Sequence, residues 1–537
     1  MDIRRRPPLF FVAVAACVYV LAPEVVSSFV LPPLHSNALN SRTVAESPTQ
    51  VHLWLSRRSK RKKEIPIQNI TSAAQLDAHW NNASIANPIR TVRVVGATQS
   101  IGNPDLPEYT HPVVQLLHDR RRNGRRSNAK DEQCKIALAV EGGGMRGCVS
   151  AGMICAVHYL NLTASLDAVY GASAGTVVGS YLITEQLRYS GPEVYYDQLT
   201  TAGREFIDTR RLLRAVGLGG LDVKGSWKQY LKKLDLPVLQ LDFLLKRTMQ
   251  ETKPLDWERF SKRQSTLPMN VVASGLETGQ AHTLNMKKGA FENLEELANC
   301  MHASCLLPGI AGPVMNIHKN ILRGEPVPAG ESKFIRRNNL SDDRYEPFAD
   351  SLLYEPLPFE TACKSDGITH CVVVRSRPDG VDVTGSGGGL GERLLAHRFF
   401  RRKNPSLRHQ YRRMRRGLHK KRYAESILKL NQESTSTRDP WDTTTQDQPH
   451  LLSIALTPGS PEVGRLEVDR ETIYMNMRRG FARAYDCLVE DPALRGRGME
   501  EAEQYFTDEI LAYDPRDRET GASSIAPPEK QQPSPVV

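Results

Sequence analysis

Two short glycine-rich stretches hold the residues best suited to chemistry: Gly142-Gly143-Gly144-Met145-Arg146-Gly147 and, 24 residues further on, Gly171-Ala172-Ser173-Ala174-Gly175. The first follows the apolar run Lys135 to Val140 and can turn backbone N–H groups toward an anion. The second follows Leu166 to Tyr170 and can hold a serine hydroxyl on a tight strand-to-helix turn. Such a turn brings backbone segments close together and strains the serine, so it needs small flanking residues. A nucleophile and an anion hole one strand–helix–strand unit apart are the minimum machinery for acyl transfer. In this reading Ser173 is the nucleophile and Gly171 and Gly175 shape its elbow. Gly142, Gly143, Gly144, Arg146, Gly147 and Ala174 form the oxyanion hole, with Ala174 opening a helix whose positive end faces the developing charge. Arg146 either orients the loop or meets a substrate phosphate. A G-x-G-x-x-G stretch after a strand also suits a dinucleotide, but that site wants an acidic residue at the end of the second strand. Here the second strand delivers a serine instead.

Positioning these motifs calls for a sheet. From about Cys134 to Ser376 the pattern alternates strand and helix, which predicts a parallel sheet covered on both faces. Ile136 to Val140, Leu166 to Tyr170, Met269 to Ala273 and Cys371 to Val374 read as buried strands. Val149 to Leu160 and Thr176 to Leu187 read as helices. Leu451 to Leu456 and Glu471 to Leu488 read as a late strand and helix rejoining the core. The expected division is a signal peptide over 1–28, a transit-like region of low order over 29–130 and a catalytic domain over 131–376. A basic helical segment with a flexible linker over 377–450, the returning strand and helix over 451–490 and a polar tail over 491–537 complete it.

With 40% apolar and 24% charged residues, the 537-residue chain has the composition of a globular protein with polar additions. Its net charge of +11 is localised. Arg393 to Arg422 carries thirteen Lys and Arg and no acid, so the rest is nearly balanced, which argues against a nucleic-acid-binding protein. Leu407, Tyr411, Met414 and Leu418 fall on one face of a helix there, either packing on the core beneath a solvated cationic face or docking on an anionic lipid surface. Arg4-Arg5-Arg6 followed by Leu9 to Ala22 has the form of a signal peptide, and Phe29 to Lys63 is basic and poor in acids, like a transit peptide. Delivery to a complex plastid and a secreted or endomembrane destination both remain open. The cysteines form no CxxC pair and no metal-type cluster, and read as free buried thiols.

These residues carry a resemblance to the patatin-like phospholipases. Glu141-Gly142-Gly143-Gly144-Met145-Arg146-Gly147 is similar to that family's oxyanion signature, and Val169-Tyr170-Gly171-Ala172-Ser173-Ala174-Gly175 to its nucleophile elbow. Met301 to Cys305 leading to Pro308-Gly309, and Ala349-Asp350 with Pro358 and Ala362 beyond, resemble two further family segments. The resemblance implies a three-layer α/β/α fold with a mainly parallel sheet. It also implies a Ser173–Asp350 dyad without histidine, metal or other cofactor, acting on acyl esters of membrane or storage lipids such as phospholipids, lysophospholipids or galactolipids. The family writes its aspartate before Gly-Gly or Gly-Ala, whereas Ser351-Leu352 follow here. Asp366-Gly367 is therefore a rival base and His370 the base of a competing triad. His158 and His302 read as packing residues. The alternative function is a catalytically weak, patatin-like lipid-binding or regulatory protein on membranes.

Overall fold

Short apolar runs, bounded by turns and too short for buried helices, form the parallel half of one nine-stranded sheet. A computed structural model of the chain describes residues 67–515, apart from 86–87, 127–128, 188–189, 213–236, 386–389, 444–447 and 513. The expected signal peptide, the transit-like stretch up to residue 66 and the end of the tail lie outside the described residues. The strands are β1 (Ile136–Val140), β2 (Ala168–Ala172), β3 (Met269–Gly275), β4 (Gln280–Leu284), β5 (Met315–His318), β6 (Phe334–Arg336), β7 (Tyr345–Ala349), β8 (His370–Val374) and β9 (His450–Ile454). Their order is β9-β8-β1-β2-β3-β7-β5-β6, with β4 also paired to β3. β9, β8, β1, β2 and β3 run parallel, and the remaining pairings are antiparallel. β2 reaches two residues beyond its expected end, because Gly171 and Ala172 continue the ladder against Val271 and Val272.

Alternation along each strand separates two cores, as a sheet covered on both faces requires. Ile136, Leu138 and Val140 of β1 enter one; Ala137 and Ala139 enter the other. The first core is closed by α1 (Pro112–Asn123), α2 (Gly147–Tyr159), α3 (Ala174–Ile183) and α4 (Leu294–Cys305), together with α8 (Arg470–Leu488) and α9 (Gly498–Tyr505). α2 and α8 cross closely at two glycines. A Cβ on Gly152 would meet the Met477 carbonyl, and one on Gly480 the Val149 carbonyl, both well inside van der Waals contact.

Much of the second face is covered from outside the expected catalytic domain. Ile70, Leu76, Ile89, Val92 and Val94 precede it; Tyr423, Ala424, Ile427 and Leu430 of α7 (Leu418–Glu433) follow it; Phe359 and Ala362 complete the layer. Three boundaries therefore change. From residue 67 on, the region expected to be of low order holds apolar residues that cover the sheet. Residues 418–430 of the expected helical segment and linker are a structural layer. The expected tail over 491–537 begins with α9, where Ala502, Tyr505 and Phe506 are buried. α5 (Leu390–His397) and α6 (Arg408–Arg416) precede α7. The single helical face expected from Leu407 to Leu418 is interrupted at Gly417, whose φ of 79° ends α6. Leu407 is buried and Tyr411 and Met414 pack on the core, while Arg401, Arg402, Arg408, Arg412, Arg415 and Arg416 are exposed. None of these six arginines pairs with a carboxylate among the described residues. Among those residues no helix is long and apolar enough to cross a membrane.

Candidate active site

The sheet topology brings two distant strand ends together. Ala172, the last residue of β2, lies in register with Val272 of β3, and Ala349, the last residue of β7, with Ser274 of the same strand. Ser173 and Asp350 follow these two residues directly and meet beside β3. The Ser173 hydroxyl donates to Asp350 Oδ2 at 3.1 Å. Ser173 has φ 51° and ψ −124°, a conformation that non-glycine residues rarely adopt and that typically costs about 1–3 kcal/mol. Two supports hold it. Its N–H donates to Ser304 Oγ at 2.8 Å, and Ser304 in turn donates to the Val272 carbonyl at 2.6 Å. α4, opened by the Asn293 side chain accepting from Glu296 N–H, delivers Ser304 there.

Asp350 Oδ1 accepts from Leu352 N–H at 2.8 Å. Ser351, standing where glycine was expected, lies in a short 3-10 turn outside the left-handed region. The carboxylate reaches the serine without requiring glycine at that position. Burial raises Asp350 to about 6, against the opposing effects of Leu352 N–H, the Ser173 hydroxyl and the Arg465 charge. A carboxylate that ionises near neutrality and touches a hydroxyl has the properties of a general base. Cys305, beside Ser173, stays a protonated thiol, because burial pushes it up to about 12.

The glycine loop lies against the elbow. A Cβ on Gly142 would stand 2.6 Å from both Ser173 Cβ and the Ala172 carbonyl oxygen, so this contact excludes any larger residue. Gly171 abuts Thr176, and Gly175 abuts the Val140 carbonyl, which seats α3 against the strands. Gly144 turns the loop with φ 62°. Among the described residues the N–H groups of Gly143, Gly144 and Ala174 have no backbone acceptor. Two members of the expected hole serve differently. Gly147 N–H is taken by the Gly144 and Met145 carbonyls, and its missing side chain makes room for Tyr195. Arg146 is buried and paired with Glu462, so it braces the loop from within. Further bracing was not legible in the motifs. Ser376 donates through Oγ to the Gly142 carbonyl at 3.0 Å and through N–H to Glu141 at 2.6 Å; the Tyr423 hydroxyl of α7 donates to the same carboxylate at 2.6 Å.

The rival residues lie elsewhere. Asp366 accepts from the Tyr170 hydroxyl and closes the helix leading into β8. His370 begins β8 level with Ile136, at the end of the sheet opposite Ser173. Its Nε2 meets the Pro440 carbonyl at 2.7 Å, its ring stacks on His450, and burial lowers it to about 3. His158 is half-buried near the end of α2. His302 is buried, held at about 3, and lines a cavity of about 380 Å³ with Asp242 and Arg336. None of the elbow or glycine-loop residues lines that cavity. All eight described cysteines are free thiols. Among the described residues no group of three or more His, Cys, Asp or Glu is placed to hold a metal.

The structure is thus a parallel-centred α/β/α layer arrangement that carries a strained serine elbow against a glycine loop. Residues 138–362 match the model of the family described as patatin-like phospholipase. No curated protein sequence matches the chain. Among experimental structures, VipD from Legionella pneumophila aligns with 12% identity over 73% of this chain and 74% of its own, with a TM-score of 0.32. Human GIVD cytosolic phospholipase A2, in complex with methyl gamma-linolenyl fluorophosphonate, aligns with 12% identity over 78% of this chain and 65% of its own, with a TM-score of 0.31.

Proposed function

We propose that the protein is a serine lipid acyl hydrolase working through a Ser173–Asp350 dyad on ester bonds of glycerolipids. The observation that carries this reading is the 3.1 Å hydrogen bond from a strained serine to a buried carboxylate raised to about 6. Asp350 takes the Ser173 proton as Oγ attacks the ester carbonyl. The N–H groups of Gly143, Gly144 and Ala174 receive the oxyanion, where each preorganised donor is worth about 2.7–4 kcal/mol. Asp350 returns the proton to the departing alkoxide, then activates water to release the fatty acid from Ser173. The exposed arginines of α6 and the turn before it support interfacial work, since an anionic membrane surface complements them.

A fluorophosphonate probe on the full chain tests the reading. Labelling is expected at Ser173 and absent in Ser173→Ala. Asp350→Asn is expected to lower turnover of a phospholipid ester by about 10²–10⁴-fold, the usual worth of a general base. A chain that takes no label, or an Asp350→Asn enzyme with full turnover, returns the choice to a lipid-binding protein without hydrolase activity. Delivery into the secretory pathway is likewise our inference; residues 1–63 fused to a fluorescent reporter should carry it there, and a cytosolic reporter rejects it.

A further inference from the structure

Gly143 and Gly144 lie between two anchored ends of the glycine loop. At its start, Glu141 N–H donates to the Val374 carbonyl of β8 at 3.1 Å, and the Gly142 carbonyl accepts from Ser376 Oγ at 3.0 Å. At its end, Met145 N–H donates to the Arg465 carbonyl at 3.1 Å, and Arg146 pairs with Glu462. The Glu141 side chain brings in α7, which covers the second face of the sheet. That carboxylate is buried; its Oε2 accepts from Ser376 N–H and its Oε1 from the Tyr423 hydroxyl, both at 2.6 Å. Among the described residues no other group donates to Oε1. Burial, with the Glu141 charge beside it, raises the Tyr423 phenol above its ordinary range, so it stays protonated and donates. Arg377 ties this contact to the other end of the loop. Its guanidinium lies 6.0 Å from the centroid of the Tyr423 ring and donates to Glu462 Oε1 at 2.9 Å, the oxygen that Arg146 also holds. A buried carboxylate oxygen that loses its donor must find water or another partner, and here that movement would carry the head of the loop with it. Preorganised donors keep their worth only when held to within about 0.5 Å.

We propose that Tyr423 is a positioning residue of the oxyanion hole, acting through Glu141 to fix Gly143 and Gly144 for the developing charge. The proposal deepens the acyl-hydrolase reading and rests on it. Tyr423 lies outside the family-matched residues 138–362, so α7 becomes a working part of the hydrolase as well as a cover for the sheet. A tyrosine suits the task because its ring is held by the apolar layer while its hydroxyl is left for one polar partner.

The experiment compares the full chain with its Tyr423→Phe variant, which lacks only the hydroxyl. A fluorophosphonate places its phosphoryl oxygen where the ester oxygen would stand, so its labelling of Ser173 reads the hole directly. At saturating probe the variant should label about tenfold or more slowly, the worth of a hydrogen bond to a charged group, and still reach completion. Its kcat for p-nitrophenyl butyrate should fall by a like factor with KM within about twofold, as when an interaction made only in the transition state is lost. In a Glu141→Gln background the same substitution should change kcat by less than about twofold, because the two residues act through one contact. Tyr474→Phe removes a hydroxyl that donates to the Thr507 carbonyl at 2.8 Å in the other core; it should lower the thermal midpoint and leave both rates unchanged. Full rates in Tyr423→Phe, or losses that multiply in full with those of Glu141→Gln, overturn the proposal. A Tyr423→Phe chain that is unfolded by circular dichroism overturns it too, by making the hydroxyl a structural group. Failure of the hydrolase reading is recorded separately, by absent fluorophosphonate labelling of the wild-type chain.

Discussion

Burial holds the Asp350 carboxyl up at about 6, while three neighbours, Leu352 N–H, the Ser173 hydroxyl and the Arg465 charge, favour its ionised form. As a base it works only when ionised, so kcat/KM should rise with pH through about 6. Arg465→Gln removes a favourable charge and should move that acid limb to higher pH; a pH–rate profile reads the shift, and a limb that stays in place would remove Arg465 from the electrostatics of the site. The same enclosure opposes folding. A carboxyl raised above its unfolded value contributes stability below about pH 4 that is lost as pH rises through about 6. Asp350→Asn should therefore gain about 2–3 kcal/mol over wild type between pH 4 and pH 7. Urea midpoints at both pH values measure this, and a pH-independent difference would contradict the burial. Ser173 itself was legible in the sequence because a nucleophile elbow is a local device, written in five consecutive residues. Ser304 and Arg465 were not. Each touches the site through a contact spanning more than a hundred residues, and neither sits in a pattern whose spacing announces that contact.

At the scale of elements, the tight crossing of α2 and α8 offers a sharp test. Gly480→Ala should drive a methyl group into the Val149 carbonyl and cost about 1–3 kcal/mol, as overpacking does. Thermal denaturation measures the loss, and an unchanged midpoint would mean the helices have room to separate. The helices and strands of this half were readable because buried runs and glycine punctuation act over a few residues. The strand ends shifted by a residue or two, since ladder partners rather than local preference decide where pairing stops. Gly417 defeated the reading of residues 407–418. Apolar spacing predicted one continuous face, but the chain turns at Gly417 where it packs against Ile89, a contact with no signature in the local sequence. The layer over the second face was hidden for the same reason. Its residues come from segments far apart in the chain, at 70–94, 359–362 and 423–430, and each piece alone looks like a short helix or an extended link.

For the whole molecule, the outward arginines of α6 predict a salt-sensitive attachment to anionic vesicles. Replacing Arg408, Arg412 and Arg415 by Gln should weaken binding to phosphatidylserine-containing vesicles by about tenfold or more at physiological salt, and leave binding to neutral vesicles unchanged. Sedimentation with vesicles measures this; equal binding by variant and wild type would make the cationic face a solubility feature only. A polypeptide limited to residues 131–376 should not fold, because it lacks β9, α8 and the residues that cover the second face of the sheet. Protease resistance of that fragment, compared with residues 67–515, decides the point. The placement of Arg465 also orders events during synthesis. The elbow and the glycine loop leave the ribosome early, but the carbonyl that fixes Met145 is more than 300 residues behind it, and α8 follows later still. Non-local closure of this kind waits for the late segment. The nascent chain thus carries Ser173 through more than half of its translation before the Arg465 carbonyl is made, and the glycine loop is fixed only when β9 and α8 dock.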